Sequence, residues 1–362
     1  MNFYDVKEDW AGVKKRWEAW WNFDMHDRPL LQVTAAKNNP SPPPELEDFR
    51  YEETDLRRKW TDAGYIIAKT LHEFYRTYYG GESMPVLSHG WSVGHALPFG
   101  CEPNFAPDTI WTDTVPVKKG GEYPEIRFDQ NNRWWRMILD ATEKACRASR
   151  QRYFVMPMWG NHAGDNLSMC RGSENLLIDL IENPGWVKSA LQHVTDSMIA
   201  QFDTLHGLTP LTGLEGSVNY VNCWSPKKTH GFDCDFSCMI SPGMFKDVFL
   251  PPLIETMRTV DHRIYHLDGV EAALHHLDTL LEVEEIDAFQ WVPGEGRMEI
   301  MQWVPLLQKM QARKKSVLCY TSPDAVIPLI KELRSEGLCI CAGTRTEDDA
   351  RRLIESVERL YR

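Results

Sequence analysis

The sequence predicts an α/β protein, a single-domain (β/α)8 TIM barrel spanning residues 1–362. Three observations carry that expectation. Eight short apolar runs are spread along the chain, most are followed by an amphipathic stretch, and no glycine-rich phosphate loop follows an early run. Alternating strand and helix patterns imply a parallel sheet covered by helices, and eight such units match a closed barrel. A doubly wound open sheet would want the missing glycine loop.

The elements follow in order. Residues 1–28 read as an N-terminal helical cap. The apolar runs lie at 29–34, 84–89, 153–158, within 213–222, and at 263–266, 288–292, 316–320 and 337–341. Residues 37–80 form an insertion, Pro-rich, then charged, ending in a helix over 56–79. Residues 98–132, with Pro, Gly and Asp spaced through them, form a second insertion. A helix over 173–181 has Ser173 as its cap and continues past Asn183-Pro-Gly into 186–206. Ser241 at N-cap and Pro242 at N1 open another helix. Helices are also expected at 300–313 and 323–336. Thr346 caps the last one, whose first turn holds Glu347, Asp348 and Asp349 against the positive end of the helix dipole.

Composition narrows the function. The 43% hydrophobic and 25% charged content is that of an ordinary globular chain. With 40 basic and 52 acidic side chains the formal net charge is −12, which argues against nucleic acid and anionic membrane surfaces. No run of about 18 apolar residues is present to span a membrane. The first residues lack the basic start and apolar run of a signal peptide. Nine scattered cysteines then read as reduced thiols of a cytoplasmic protein. Fourteen tryptophans favour a pocket with aromatic walls around a small-molecule substrate. The sequence leaves the oligomeric state open.

The stretch richest in chemistry is Arg263-Ile-Tyr-His-Leu-Asp-Gly269. In a strand, residues i and i+2 share a face, so His266 and Asp268 leave the same side about 7 Å apart. An imidazole beside a carboxylate at a strand end suits metal ligation or acid–base work, and barrel active sites lie at the strands' C-terminal ends.

Several segments together resemble one family. Ser241-Pro-Gly-Met-Phe-Lys-Asp-Val-Phe-Leu-Pro-Pro, the strand end His266-Leu-Asp-Gly269, the stretch Leu177-Ile-Asp-Leu-Ile-Glu-Asn-Pro-Gly-Trp-Val and the closing Gly343-Thr-Arg-Thr-Glu-Asp-Asp-Ala are similar to the uroporphyrinogen decarboxylase-like superfamily. That superfamily includes zinc/corrinoid methyltransferases. The resemblance covers most of residues 150–362 and implies a TIM barrel with one of two activities. The first is metal-dependent transfer of a methyl group from a small methylated substrate to a corrinoid carried by a partner protein. The second is decarboxylation without a metal. The decarboxylases grip their substrate with an arginine-rich motif after the first strand, where this chain reads Leu31-Gln-Val-Thr-Ala-Ala-Lys37. Methyl transfer is therefore the leading expectation, a decarboxylase-like lyase acting on a small carboxylate the alternative, and a non-catalytic ligand-binding barrel a third. The resemblance implies zinc or another divalent metal on His266, Asp268 and a later thiol. Cys341 is preferred over Cys339 and Cys319. Asp268 stands where the family has a cysteine, which makes the site harder and favours an oxygen- or nitrogen-methylated donor.

Other residues sit where a barrel presents its pocket. Glu215, Asp235 and Glu295 are the candidate catalytic carboxylates. Trp91 and His95 after the second strand, Trp159 and Asn161 after the third, Trp224 after the fourth and Trp291 on the sixth are the candidate substrate contacts.

Overall fold

The computed structural model describes the whole chain except residues 1, 8, 52, 53, 118–120, 160–162, 270 and 295–298. Its strands are β1 (Leu30–Ala36), β2 (Thr77–Gly81), β3 (Val86–Leu87), β4 (Pro103–Phe105), β5 (Ile110–Thr112), β6 (Phe154–Val155), β7 (Ser217–Val218), β8 (Trp224–Ser225), β9 (Thr229–Phe232), β10 (His262–Gly269), β11 (Ala288–Pro293), β12 (Ser316–Thr321) and β13 (Leu338–Thr346). One seven-stranded sheet runs β2-β1-β13-β12-β11-β10-β9. Six of its strands are mutually parallel and β2 is antiparallel to β1. β3 and β6 form a separate parallel pair. The fold is thus α/β with a large, mostly parallel sheet. Among the described residues no ladder joins the β3–β6 pair to the large sheet, so the closed barrel expected from the sequence is not shown.

Seven of the eight expected strands form. The fourth does not: residues 213–222 contribute only β7, which turns back on β8 as an antiparallel hairpin. The parallel strand comes later, at β9, inside what reads as a loop. β9 carries Thr229, His230 and Gly231 before its one large apolar residue, Phe232, so it lacks an apolar run. The helix expected over 56–79 breaks in two, Leu56–Thr61 and Ala63–Arg76, because the Asp62 side chain caps the second by accepting from the Tyr65 N–H. The chain after Arg76 is then extended as β2. Ser241 and Thr346 cap as expected, accepting from the N–H groups of Met244 and Asp349.

Side-chain alternation divides the sheet into two faces. Leu31, Val33, Tyr265, Leu267, Phe289, Trp291, Val317, Cys319 and Ile340 belong to the main core, packed under the surrounding helices. Leu30, Ile264, Ala288, Leu318 and Cys339 belong to a second cluster with Trp10, Trp17, Trp20 and Trp21 of the helix Trp10–Trp21. The N-terminal cap therefore covers the inner face near the strands' starts with indole rings. A buried ion network fixes it there: Arg16 Nε donates to Glu82 Oε1 at 2.6 Å, Arg28 Nη1 to Glu82 Oε2 at 2.8 Å, and the Leu31 N–H to Glu82 Oε2 at 2.7 Å. Burial alone would raise the Glu82 carboxyl, but Arg28 and Arg16 hold it down at about 2. No helix among the described residues is long and apolar enough to cross a membrane.

Candidate functional site

With one end of the inner face plugged by tryptophans, its residues farther along the strands meet a cavity of about 670 Å³. The cavity wall takes His266 from β10, Gln290 from β11, Tyr320 from β12, Asp233 and Asp235 from the segment after β9, Trp159 from the segment after β6, and Tyr220 and Val221 from the β7–β8 turn. Parallel strands place these side chains together at their C-terminal ends, where α/β sheets hold their ligands. The β4–β5 hairpin of the second insertion supplies the rim, including Trp111, which is 66% exposed. No Lys or Arg is among the described lining residues.

One hydrogen-bond chain orders the wall. Gln290 lies beside His266 in register. Its Nε2 donates to the Tyr320 hydroxyl at 3.0 Å, which leaves Oε1 to accept from His266 Nδ1 at 2.7 Å. The His266 proton is thereby held on Nδ1, and in the neutral ring Nε2 keeps its lone pair. Opposite, the Tyr220 hydroxyl donates to Asp233 Oδ2 at 3.1 Å, and its ring stacks on Trp159 at 5.6 Å. Burial and the Asp233 carboxylate push the Tyr220 hydroxyl well above its usual range, so it stays a donor. Asp235 remains open to the cavity, yet the wall strips enough water from its carboxyl to push it up. His266 draws it down and Asp268 pushes it up further. Asp235 thus feels both His266 and Asp268.

Of the residues expected from the sequence, the structure gathers His266, Asp235 and Trp159 in the cavity wall, with Asp268 near Asp235. Asn161 and Glu295 lie outside the described residues. The others are elsewhere. Glu215 is a surface carboxylate, its side chain 75% exposed and paired with Lys14 at 3.3 Å. Trp224 is fully buried in the tryptophan plug, edge-on to Trp10 at 5.3 Å. Both are corrections with one cause: the β7–β8 hairpin holds them against the N-terminal cap. Trp291 has the opposite parity to Gln290 and packs on Trp303 at 4.8 Å in the outer core. Trp91 and His95 line a separate, nearly closed space of about 20 Å³ behind Trp159, with His89 and Gln201. Gln290, Tyr320, Tyr220 and Asp233 are site residues that the sequence reading missed. Gln290 carried a usable signal, being the one polar residue in an otherwise apolar strand, where burial demands a partner.

The metal set is not assembled. Cys341 lines a second chamber of about 460 Å³ with Gln32 and Asn222. Val221 and Tyr320 line both chambers. Asp268 and Cys341 stand on strands three steps apart in the sheet, and the chamber that Cys341 lines does not include His266. The Cys341 thiol is pushed well up by its hydrogen bond with Cys339 and by burial. Cys319 faces the outer core, and Cys339 lies in the plug cluster. Among the described residues no group of three or more His, Cys, Asp and Glu is placed to hold a metal ion. These residues do not fit the expected metal, and no chemistry is routed through one below.

Fold and site define a class: an α/β protein with a small-molecule cavity at the C-terminal ends of parallel strands. Among solved structures the chain is similar to a methyltransferase from Methanosarcina mazei, with a TM-score of 0.61 and 13% sequence identity, covering 97% of this chain and 99% of that one. At that identity the likeness concerns the fold. No protein-family profile matches the chain, and neither does any curated protein.

Proposed function

We propose that the chain is a methyltransferase that takes a methyl group from a small nitrogen- or oxygen-methylated molecule bound in the main cavity. The acceptor is a corrinoid presented by a partner protein at the cavity mouth, where it supplies the nucleophile. The supporting observation is the cavity itself: about 670 Å³ of space, aromatic and hydrogen-bonding walls, and His266 on the floor, on a fold shared end to end with a methyltransferase. In this reading the large sheet and the β3–β6 pair together form the barrel, and the plugged end makes the mouth the only approach.

The chain's own residues bind and orient the donor. Trp159, Tyr220 and Tyr320 present flat apolar faces to a methyl-bearing group. His266, its Nδ1–H held by Gln290, offers Nε2 to accept a hydrogen bond that orients the donor molecule. Positioning is what speeds a displacement whose attacking and leaving atoms must lie in line. The lyase alternative is not favoured, because no described Lys or Arg faces the cavity to grip a carboxylate.

Purified protein mixed with cob(I)alamin and a panel of nitrogen- and oxygen-methylated small molecules should yield methylcobalamin with at least one donor. His266→Ala should slow it about tenfold or more. Failure of every donor, or an unaltered rate in the variant, refutes the proposal.

A further inference from the structure

We infer that the donor is a methylated ammonium ion, selected by the aromatic and acidic wall of the main cavity; this rests on the methyl-transfer reading above.

Three independent features of the cavity point the same way. Its described lining carries the carboxylates of Asp233 and Asp235 and no Lys or Arg. No ion pair among the described residues engages Asp235 or Asp268, although the surface of the protein is rich in such pairs. A neutral or anionic ligand would leave Asp235 facing the cavity with no Lys or Arg among the described lining residues, whereas a cation supplies the counter-charge.

The second feature is the arrangement of rings. Trp159 and Tyr220, stacked on each other at 5.6 Å, both line the cavity, and Tyr320, 36% exposed, adds a third ring from β12. Faces of Trp and Tyr attract cations, alkylated ammonium ions above all, whose charge is spread over methyl groups and costs little to desolvate. Tyr220 joins this wall to the carboxylates, since its hydroxyl donates to Asp233. At the rim, the exposed ring of Trp111 is left with a face that a bound cation would cover.

The third feature is chemical. His266, Asp268 and Cys341 are not placed around a common point, so the described residues assemble no Lewis acid to polarise the donor atom. An ammonium donor needs none. When the acceptor's electron pair forms the new bond to the methyl carbon, the carbon–nitrogen bond breaks with its pair passing to nitrogen, and a neutral amine leaves. Atoms and charge balance without an added proton, oxidant or reductant. An ether donor would instead release an alkoxide that must be protonated or bound to a metal. The carboxylates stabilise the cation before the transfer, so they act on binding and selection, while the donor's own charge supplies the activation.

The test compares choline with 3,3-dimethylbutan-1-ol, its uncharged carbon counterpart of the same shape, by isothermal titration against the intact protein. Choline should bind at least tenfold more tightly. Asp235→Asn, at a solvent-open position, should weaken choline about tenfold, leave the alcohol unchanged and not lower the melting temperature. Equal affinity for both probes, no choline binding, or choline binding indifferent to Asp235→Asn overturns the inference. The two proposals fail separately. Choline bound tightly with no methyl passed to cob(I)alamin keeps the cation assignment and removes the methyl-transfer reading. Methyl transfer from uncharged donors alone does the reverse.

Discussion

Acidification from pH 7 to pH 5 should destabilise this protein through three buried histidines. His89, His95 and His230 are almost wholly buried. Both His89 nitrogens, His95 Nε2 and His230 Nδ1 make no hydrogen bond to the described residues. Burial pushes His89 down to about 3, His95 to about 4 and His230 to about 3, the last assisted by His95 and Lys228. The folded pKa lies below the unfolded value near 6.5, so the unfolded chain takes up protons first, and stability is lost as the pH falls through 6.5 toward 4. Between pH 7 and 5 each ring contributes about 2 kcal/mol at 1.36 kcal/mol per pH unit. These three rings give about 6 kcal/mol, comparable with the whole stability of many domains, and His206, His262 and His276, also pushed down by burial, act in the same direction. The carboxylate most depressed by burial partners, Glu82, begins to matter only below about 4.5, so this window belongs to the imidazoles. Urea unfolding followed by tryptophan fluorescence at pH 7, 6 and 5 should show a falling midpoint at nearly constant slope. His89→Phe should remove about 2 kcal/mol of the pH dependence. A midpoint that moves by less than the equivalent of about 1 kcal/mol would mean the rings are hydrated or protonated in the folded state, and the argument fails.

Two further outcomes follow from the plugged end. Glu82→Gln leaves Arg16 and Arg28 facing each other without a buried counter-charge and should cost about 3–5 kcal/mol, read as a lower melting temperature. In the parent protein the Glu82 contribution holds above about pH 4.5 and fades as the pH falls toward 2. Trp224→Phe empties part of the plug and breaks the bond from its Nε1 to the Glu215 carbonyl, 2.9 Å long. It should cost about 1–3 kcal/mol while choline titration stays unchanged; a lost ligand affinity at intact stability would return Trp224 to the binding wall.

How far the sequence could be read depended on whether one strand or several decided a residue's place. The parity of His266 and Asp268 is a property of one strand: the period of two puts them on one side of β10, and both act on Asp235. Cys341 has the right parity as well, but its distance from His266 depends on how many strands intervene, which no local pattern encodes. Trp291 failed for a related reason: the strand around it is apolar on both faces, so bulk alone favoured the tryptophan, while Gln290 beside it held the inward place. Glu215 and Trp224 were misplaced because the apolar residues of 213–222 read as a strand, whereas the chain reverses between β7 and β8, with Asn222 at φ 59° in the turn. β9 stayed hidden because His230 does the packing work of an aliphatic residue there, tilted on Phe202 at 4.3 Å.

The division between a fixed base and an open mouth explains why stability and chemistry separate in this fold. At the base, the buried charges of Arg16, Arg28 and Glu82 satisfy one another, and the tryptophans of the cap fill the inner face. At the mouth the balance is reversed: Asp235 is pushed up by its surroundings, a tyrosine donates to Asp233, and large rings stay partly exposed. Such a wall is costly to the folded chain by itself, since carboxylates near one another repel and exposed indole gains nothing from water. A ligand carrying the missing positive charge relieves both costs, so binding and stability are coupled through the same groups. A bound cation should therefore raise the melting temperature of the parent protein more than that of Asp235→Asn. Changes at the base should lower both melting temperatures equally and leave the ligand's increment intact.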